Sequence, residues 1–381
     1  MLRDRVVAVV FEGGNPRSDI EVQMARVRKG VALDNIAKAV ATPEIDGVIL
    51  STNYPELGTR AAELGAQIDS TEGEDFHFGR RLHQLVEKFD LENVIYFGGA
   101  ALPLIRTDDL SGVARQLKEY KNVVVVNNAQ SADLTAFTPA WILDHIELPE
   151  ADNFLGYLLR EVGLRRVLIE NSARINLDID TPSDLLVLQR CRGVGPETRR
   201  ALDSLDLPGA ALDDAVDVFS RREQPYPEVA LIGRVGPAMM SVINANLPIR
   251  LRAFSEERGM KALRREERGE AVSLIGFAIE EVGPRRFFEY LGEIVDLAII
   301  DTRVLFAHLQ LRPSAPDRFY SDLGMDDRIG DPFIRDFTRA AREAPIPVIL
   351  GGHSMVYGGL WALLDENGLL GSGIPKVPGK S

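Results

Sequence analysis

The sequence predicts an α/β protein with two domains, each built around a mostly parallel β-sheet. Continuous runs of apolar, mostly β-branched residues, such as 6–11 and 123–126, are typical of strands buried on both faces of a sheet. Amphipathic segments of helical period separate these runs, and this alternation predicts parallel pairing of the strands. The 381 residues exceed what one ordinary core accommodates, which predicts two domains.

In the first half of the chain, strands and helices are expected to alternate regularly. The expected strands are residues 6–11, 48–50, 66–68, 94–97, 123–126 and 167–169. The clearest helix covers residues 76–89, where apolar residues recur at the spacing of one helical face, and further helices are expected at 107–119 and 155–162. Ligands of such sheets bind at the carboxyl ends of the strands. The loops expected to converge there are 12–18, 98–104, 127–133 and 176–181.

A change in composition divides the chain. Between residues 193 and 228, Gly, Pro and charged residues dominate and the helical pattern is weak, which is typical of a linker. We therefore expect a first domain at 1–192, a helical linker at 193–228, a second α/β (Rossmann-like) domain at 229–370 and a flexible tail at 371–381. The strands expected in the second domain are 229–233, 250–254, 297–300 and 348–350.

Charge and cysteine content exclude several classes of function. The net charge of −13 argues against nucleic acid or an anionic membrane as the main partner. Cys191 is the only cysteine, which rules out an internal disulfide and fits a reducing cytoplasm. We expect neither a secretory signal nor a membrane-spanning segment. A small-molecule ligand is the expected partner, and homo-oligomerisation is compatible with this composition.

Two acids, Asp178 and Asp180, lie between an apolar run and a predicted helix. In an extended segment, residues two apart point to the same side, so both carboxylates could reach one cation. Hard cations such as Mg²⁺ prefer carboxylate oxygens together with substrate phosphates. Thr181, Pro182 and Asp184 have the order of a helix N-cap, first helical residue and capping-box acid. The simpler interpretation is a loop that only starts a helix.

A glycine-rich loop follows the first strand. Residues 12–18 begin with Glu12-Gly13-Gly14 and lead into a helix, a layout that can present backbone N–H groups to phosphate. The loop lacks the Gly-Lys-Ser/Thr ending of a Walker A motif and is not a Gly-x-Gly-x-x-Gly sequence. A tight turn with no ligand is the alternative interpretation.

Together these motifs resemble the MobA-like nucleotidyltransferases of the GT-A type, and most closely the 2-phospho-lactate or phosphoenolpyruvate guanylyltransferases of deazaflavin cofactor synthesis. The N-terminal Gly-Gly loop with a nearby arginine corresponds to Gly13, Gly14 and Arg17. The family's Gly-Asp-x-Pro-Leu motif corresponds to residues 98–104, and its Asp-Ile-Asp-Thr-Pro-x-Asp-Leu motif matches residues 178–185 residue for residue. The resemblance covers about residues 4–190.

The resemblance implies a GT-A, Rossmann-like N-terminal domain that transfers a nucleoside monophosphate from an NTP to a small phosphorylated or carboxylated acceptor. It implies that Mg²⁺ is held by Asp178 and Asp180. The residues implied to face the phosphates are Gly13, Gly14, Asn15 and Arg17, and those implied to line the acceptor side are Asn128, Ser131 and Asp133. The family's Asp in the second motif is absent, because Ala100 and Ala101 stand in its place. The alternative is therefore a non-catalytic ligand-binding or scaffold protein on the same fold.

The second half offers weaker candidates for chemistry. Gly352-His353-Ser354 follows a strand as a hydrolase nucleophile elbow does, but Val356 replaces the second glycine and no histidine follows Ser354. Asp301, His308 and His353 could instead form a metal site, with unrelated loop residues as the simpler interpretation. The turn from Gly233 to Gly236 could face an anion with help from Arg234, or serve only for packing.

Overall fold

A computed structural model describes residues 5–71, 76–261 and 263–371 of the chain. The chain folds as two compact units, each assembled from three segments. The first unit consists of Met1–Arg17, Ala25–Asp178 and Val194–Ala201, and the second of Ser18–Met24, Ile179–Gly193 and Leu202–Ser381. Apart from Gly371, the tail expected at 371–381 lies outside the described residues. No helix in the described part of the chain combines the length and apolar character needed to cross a bilayer.

The first unit contains a seven-stranded, mostly parallel sheet, which confirms the predicted fold class. Its strands are β1 (Val6–Phe11), β2 (Gly47–Thr52), β3 (Gln67–Ser70), β4 (Asn93–Gly98), β5 (Val123–Val126), β6 (Leu134–Thr138) and β7 (Arg165–Leu168). They lie in the order β3-β2-β1-β4-β6-β5-β7, and β6 runs antiparallel to both of its neighbours. The strand order reverses direction between β1 and β4, which is where ligands bind in open α/β sheets.

Helices cover both faces of this sheet. They are α1 (Asp19–Val40), α2 (Pro55–Glu63), α3 (Phe78–Phe89), α4 (Thr107–Glu119), α5 (Leu155–Glu161) and the short α6 (Ala173–Asn176). Successive residues of a strand point to opposite faces, and the six buried residues of β1 divide accordingly between two apolar clusters. Burial on both faces is the physical reason why this strand is a continuous apolar run.

Strand β6 was not among the strands predicted from the sequence. Its five residues are all buried, and the strand pairs with both β4 and β5. The pairing depends on the turn at residues 127–133, whose bonds form only after folding. Local pattern alone therefore could not distinguish this strand from the loop that precedes it.

The second unit contains a four-stranded sheet in the order β11-β10-β8-β9, with every pair parallel. Its strands are β8 (Glu228–Gly233), β9 (Arg250–Ser255), β10 (Leu297–Asp301) and β11 (Val348–Gly351). This confirms the predicted second α/β fold. The strand order reverses between β8 and β10, so the expected binding edge of this unit lies at the carboxyl ends of those two strands.

The remaining helices follow the first unit's elements in chain order. They are α7 (Pro182–Arg190), α8 (Pro196–Asp203), α9 (Ala210–Ser220), α10 (Pro237–Asn246), α11 (Leu274–Val282), α12 (Pro284–Ile294), α13 (Thr302–His308), α14 (Ala315–Asp322), α15 (Pro332–Arg342) and α16 (Gly358–Glu366). The segment expected as a linker, 193–228, holds α8 and α9. Residues up to Ala201 belong to the first unit, and those from Leu202 onward to the second.

Candidate functional site

The loops that follow β1, β4 and β5 meet the segment before α7 at the carboxyl edge of the first sheet. The Gly99 N–H donates to the Phe11 carbonyl at 2.8 Å, which joins the loops after β4 and β1. The Leu102 N–H donates to the Leu177 carbonyl at 3.1 Å, and Ala101 forms an isolated antiparallel bridge with Asp178. The loop at 98–104 therefore lies between the end of β1 and Asp178.

Glu12 is a buried carboxylate at the point where the strand order reverses. It follows β1 directly, and only 2% of the residue is exposed. Its Oε2 accepts a hydrogen bond from Arg28 Nη2 at 3.3 Å, whereas its buried Oε1 has no hydrogen-bond partner among the described residues. Burial raises the pKa of Glu12, and the Arg28 guanidinium opposes this only in part. Glu12 was not among the predicted site residues, although a charged side chain directly after a buried strand is a usable sequence signal of a site.

Gly99 makes room for Glu12. A Cβ atom at position 99 would lie 2.4 Å from the Glu12 Cβ and 2.6 Å from its Oε2, closer than side chains approach. The Glu12 side chain therefore fills the space that a side chain on the loop after β4 would need. A carboxylate from β1 lies next to the loop in which the resembling family keeps its aspartate.

The glycine-rich loop is exposed, as a phosphate-binding loop must be. Gly13, Gly14, Asn15 and Arg17 all reach solvent. Gly14 is held by Asn53, since its N–H donates to Asn53 Oδ1 and its carbonyl accepts from Asn53 Nδ2, both at 3.0 Å. The N–H of Gly14 would have to leave Asn53 before it could bind a phosphate.

One arginine and one lysine side chain from α1 lie beside this loop. Arg28 pairs with Glu12, and Lys29 Nζ lies 3.8 Å from the centre of the Tyr54 ring while bonding Glu56 Oε1 at 2.5 Å. Each of these cations is thus paired with a carboxylate, Arg28 with Glu12 and Lys29 with Glu56.

The loop after β5 is organised by Asn127 rather than by the residues expected to line it. Asn127 Oδ1 accepts from the N–H groups of Asp133 and Leu134 at 3.0 and 3.1 Å, and its Nδ2 donates to the Ile175 carbonyl at 2.8 Å. Asn127 thus holds the 127–133 loop closed and joins it to the segment before Asp178. Asn127 was not among the predicted site residues, whereas its neighbour Asn128 was.

The three residues expected on the acceptor side lie in this loop and are half-buried. Asn128 Oδ1 accepts from the Gln130 N–H at 2.9 Å and more weakly from the Ser131 N–H at 3.4 Å. Asp133 Oδ2 accepts from Asn127 Nδ2 at 3.3 Å. Near this loop, the buried Tyr96 hydroxyl donates to Asp152 Oδ2 at 2.8 Å. These side chains can offer both donors and acceptors to a small polar molecule.

The two alanines that replace the family's aspartate are buried. Ala101 is held in place because its carbonyl accepts from Asn35 Nδ2 at 2.9 Å. Among the described residues, no group of three or more His, Cys, Asp or Glu side chains could hold a metal ion. A cation at this edge would therefore have at most two carboxylate ligands from the described chain, together with phosphate and water oxygens.

Asp178 and Asp180 do not share one environment. Asp178 is half-buried and belongs to the first unit, whereas Asp180 is exposed and belongs to the second. Lys261 lowers the pKa of the Asp180 carboxyl most strongly, and Arg234 and Arg303 act in the same direction. Cations around Asp180 disfavour a further metal ion there. The expectation of one shared cation therefore gains no support from the charges around Asp180.

The predicted start of α7 is present. Thr181 is the N-cap, Pro182 the first helical residue and Asp184 the capping-box acid. Asp184 Oδ2 accepts from the N–H groups of Asp180 and Thr181 at 3.0 and 2.7 Å. Burial, and then the like charge of Asp180, raise the pKa of Asp184 to about 7, against an ordinary value of 3.8. The acid whose charge acts on Asp184 is thus Asp180.

In the second unit, two buried ion pairs lie at the carboxyl edge of the sheet. Arg234, directly after β8, bonds Asp301 at the end of β10 through two contacts of 2.5 and 3.1 Å. Arg303 bonds Asp322 in the same two-contact manner, at 3.1 and 2.5 Å. Gly233 has φ +112°, and a Cβ there would lie 2.6 Å from the Asp301 Cβ, so only glycine allows this approach.

His353 lies at the same edge, after β11. Burial lowers the pKa of His353 to about 4, and the neighbouring Arg234 guanidinium acts in the same direction. The imidazole is therefore neutral at pH 7, and its ring stacks on Tyr357 with 5.4 Å between ring centres. A neutral imidazole can donate one hydrogen bond and accept another.

The structure supports neither of the two alternative sites considered for the second half. In the metal proposal, Asp301 is occupied by Arg234, and His308 Nδ1 accepts from the Ser273 N–H at 3.2 Å. No group of metal-ligating side chains is found within the described ranges. In the hydrolase proposal, Ser354 is 5% exposed and its hydroxyl is close enough to Asp184 to lower the pKa of that acid. A buried hydroxyl beside a carboxylate does not present a nucleophile to substrate.

No protein-family model matches the chain, and no curated protein matches its sequence. Among solved structures, it is similar to a CMP:2-keto-3-deoxy-manno-octonic acid synthetase complexed with CTP, at 15% identity over 49% of this chain and 97% of that one, with a TM-score of 0.36. It is similar to a nucleotidyl transferase from Methanothermobacter thermautotroptrophicus, at 19% identity over 48% and 95%, with a TM-score of 0.38. A protein from Mycobacterium tuberculosis H37Rv in complex with manganese matches at 15% identity over 53% and 100%, with a TM-score of 0.35. Such distant similarity assigns no activity to this chain.

Proposed function

We propose that the first unit is a cytoplasmic nucleotidyltransferase that binds an NTP at the junction of β1 and β4 and uses Mg²⁺. The observation that carries the proposal is the arrangement around the loop at 98–104. Glu12 borders this loop at Gly99, and Asp178 borders it at Ala101. A buried carboxylate and the backbone of a second acidic residue thus flank one short loop at the edge where α/β sheets bind nucleotides.

The residues present fit a divalent cation. Glu12 keeps a buried oxygen that has no partner in the described part of the chain, and Mg²⁺ is commonly held by one or two carboxylates plus substrate phosphates. Glu12 and Asp178 would hold it. When bound, the cation neutralises charge on the triphosphate. Asp180, the second metal ligand implied by the resemblance, is not part of this proposal because cations surround its carboxylate.

The chain's own side chains would orient the two substrates. Gly13, Gly14, Asn15 and Arg17 would face the triphosphate, and the Arg17 guanidinium would counter part of its charge. An oxygen of the acceptor attacks the α-phosphorus, the bond to the bridging oxygen of pyrophosphate breaks, and pyrophosphate leaves. Positioning of these atoms supplies much of the rate in phosphoryl transfer.

The acceptor would lie against the 127–133 loop, at Asn128, Ser131 and Asp133. We propose a small phosphorylated or carboxylated acceptor and guanylyl transfer, as the resemblance to the 2-phospho-lactate guanylyltransferases implies. The bonds of Asn127 fix this loop at both ends, which would hold the acceptor-side residues in place.

Release of pyrophosphate from each of the four NTPs, with MgCl₂ and a panel of phosphorylated and carboxylated acceptors, tests this proposal. We expect release with GTP, and loss of at least about a hundredfold in rate for Glu12→Gln and for Asp178→Asn. Glu63→Gln is the matched control, because Glu63 is an exposed carboxylate on α2 outside the loop cluster. Equal rates in all four proteins would overturn the assignment.

A second candidate is nucleotide binding without transfer. The bond between Arg28 and Glu12, the Asn53 contact of Gly14 and the two alanines in place of the family's aspartate favour it. An NTP with Mg²⁺ that raises the melting temperature, with no pyrophosphate release from any acceptor, would identify this function. No thermal shift with any NTP would exclude both candidates.

A further inference from the structure

We propose that the open edge of strand β7 pairs with β7 of a second copy of this chain, antiparallel and centred on Leu168. The two seven-stranded sheets would then continue into each other across a two-fold axis. The interface lies within the first unit and does not depend on the nucleotidyl transfer proposed for that unit.

Strand β7 is the last strand of the first sheet, and its only neighbour there is β5. The N–H groups of Arg165 and Ile169 donate to carbonyls on the side of β5, at 2.8 and 3.0 Å. In a parallel pair, alternate residues bond to the same neighbour, so the backbone N–H and carbonyl groups of Arg166 and Leu168 point away from β5. These groups have no hydrogen-bond partner in the described part of the chain. Such an unpaired edge is a template for another strand.

The side chains of β7 leave one large apolar group uncovered. Val167 and Ile169 pack against the apolar cluster on one face of their own sheet. Leu168 points to the opposite face, and 53% of it is exposed. An exposed leucine on a free strand edge favours burial by a partner strand.

Two charges flank Leu168, two residues away on each side. Neither Arg166 nor Glu170 has an oppositely charged side chain within ion-pair distance among the described residues, and Arg166 Nη1 donates only to a backbone carbonyl, at 3.2 Å. On β9, an edge strand of the second sheet, Arg250 and Arg252 bond instead to Glu228 of the neighbouring strand, at 3.4 and 2.8 Å. The charges of β7 thus remain available to a partner.

The segment from Arg166 to Glu170 is complementary to itself in the antiparallel direction. With Leu168 opposite Leu168 of the second copy, Arg166 lies opposite Glu170 and Val167 opposite Ile169. Centring the pair on Arg166 would place two arginines opposite each other, and centring it on Glu170 would oppose two glutamates. Opposite charges on directly facing residues stabilise a strand pair, and like charges destabilise it. The charges, which on most edge strands prevent pairing, therefore select one register here.

Sedimentation equilibrium of the full chain, at concentrations up to about 300 μM, tests the proposal, because a single strand pair buries less surface than a standard stable interface and the dimer must be sought at high concentration. We expect a reversible monomer–dimer equilibrium. A monomer at every concentration would overturn the proposal. Assembly that continues beyond the dimer would also overturn it, because a two-fold contact closes on itself.

Charge reversal identifies the register. Arg166→Glu and Glu170→Arg should each raise the dimer Kd by about tenfold or more, because each creates two like-charge pairs. An equimolar mixture of the two variants should form a heterodimer, since both pairs then join opposite charges. Because Glu170 is exposed and bonds to no described residue, Glu170→Arg remains informative if Arg166→Glu does not fold.

Arg165→Glu is the matched control. It makes the same change in net charge on the same strand, but its side chain lies on the other face, 4.4 Å from the centre of the Tyr120 ring. In the proposed register it faces Asn171, so the dimer Kd should stay within about twofold of the wild type. If Arg165→Glu weakens the dimer as much as Arg166→Glu, or if mixing the two charge-reversed variants restores no dimer, the contact lies elsewhere and the proposal fails.

Discussion

At the scale of single residues, the buried carboxylates of Glu12 and Asp184 have different roles. Each has one buried oxygen without a hydrogen-bond partner among the described residues, and Glu12 lies at the proposed nucleotide site. Asp184 accepts three hydrogen bonds at the start of α7, from two backbone N–H groups and the Thr181 hydroxyl. Burial raises the pKa of both acids, but only Asp184 has a structural role that explains its position.

Glu12→Gln should stabilise the protein while it abolishes function. The raised pKa shows that the surroundings of Glu12 disfavour its charge, despite Arg28. A neutral amide of the same shape removes that cost, and we expect the free energy of unfolding at pH 7 to rise by about 1 kcal/mol. Urea denaturation measures this change. Destabilisation of similar size would show that the bond to Arg28 dominates.

Asp184→Asn should change how stability depends on pH. A folded-state pKa of about 7, above the ordinary 3.8, means that the wild type gains stability as pH falls through this range and loses it as pH rises. Asparagine still accepts the capping bonds but does not titrate. Relative to the wild type, the variant should therefore improve by on the order of 2 kcal/mol between pH 5 and pH 8.

Asp184→Ala is the control for the cap. It should lose about 1 kcal/mol of the capping contribution at both pH values, in addition to the change from losing the charge. Denaturation at pH 5 and pH 8 gives all the differences. A constant offset between Asp184→Asn and the wild type would contradict a titrating carboxylate.

At the scale of elements, two glycines differ in the space around them. Gly112 lies on α4 with open space where a Cβ would be, whereas Gly99 lies against Glu12. The helix and the loop therefore respond oppositely to the same added methyl group.

Gly112→Ala should stabilise the protein by about 0.5–1 kcal/mol, because alanine loses less backbone entropy in a helix. Gly99→Ala should destabilise it by about 1–3 kcal/mol and displace Glu12, because the new Cβ overlaps that side chain. Denaturation of the two variants beside the wild type measures both effects. If Gly99→Ala behaved like Gly112→Ala, the close approach at the β1–β4 junction would be refuted.

At the scale of the whole molecule, each unit recruits segments that are distant in sequence. Helix α7 precedes the expected linker but belongs to the second unit. Its Ser183 hydroxyl donates to the carbonyls of Leu350 and Asp322 at 2.7 and 3.2 Å. A cut in the linker would therefore leave part of the second unit attached to the N-terminal fragment.

A protease site inserted between Asp206 and Leu207 tests this arrangement. The segment between α8 and α9 lies largely at the surface, so cleavage should be efficient. We expect the two fragments to co-elute in size-exclusion chromatography without denaturant, and Ser183→Ala to weaken their association. Two fragments that separate at once would support an independent linker and two consecutive domains.

The sequence predicted most elements of both sheets because buried strands and amphipathic helices leave local patterns. Helix α4 and strand β5 have the predicted bounds, and the capping box of α7 is present. It did not predict β6, which is defined by its pairing with β4 and β5, or Asn127, whose role depends on a remote contact with Ile175. Glu12 was overlooked although it directly follows a buried strand, and its contact with Gly99 appears only in the fold. The shared cation of Asp178 and Asp180 was inferred from their spacing and from the family resemblance, and the charges around Asp180 come from residues much further along the chain.

The contact between Glu12 and Gly99 also limits how such a protein can evolve. Only one of the two positions can carry a side chain, so an acid gained at position 99 is harmful while Glu12 remains, and loss of Glu12 is harmful while position 99 is glycine. A lineage can move the carboxylate from the loop after β1 to the loop after β4 only through a double change, Glu12→Gly with Gly99→Asp. A protein with only one of the two changes would be less fit than either end state. Descendants on the two sides of that barrier would share an ancestor and a reaction, yet keep their acids in different motifs.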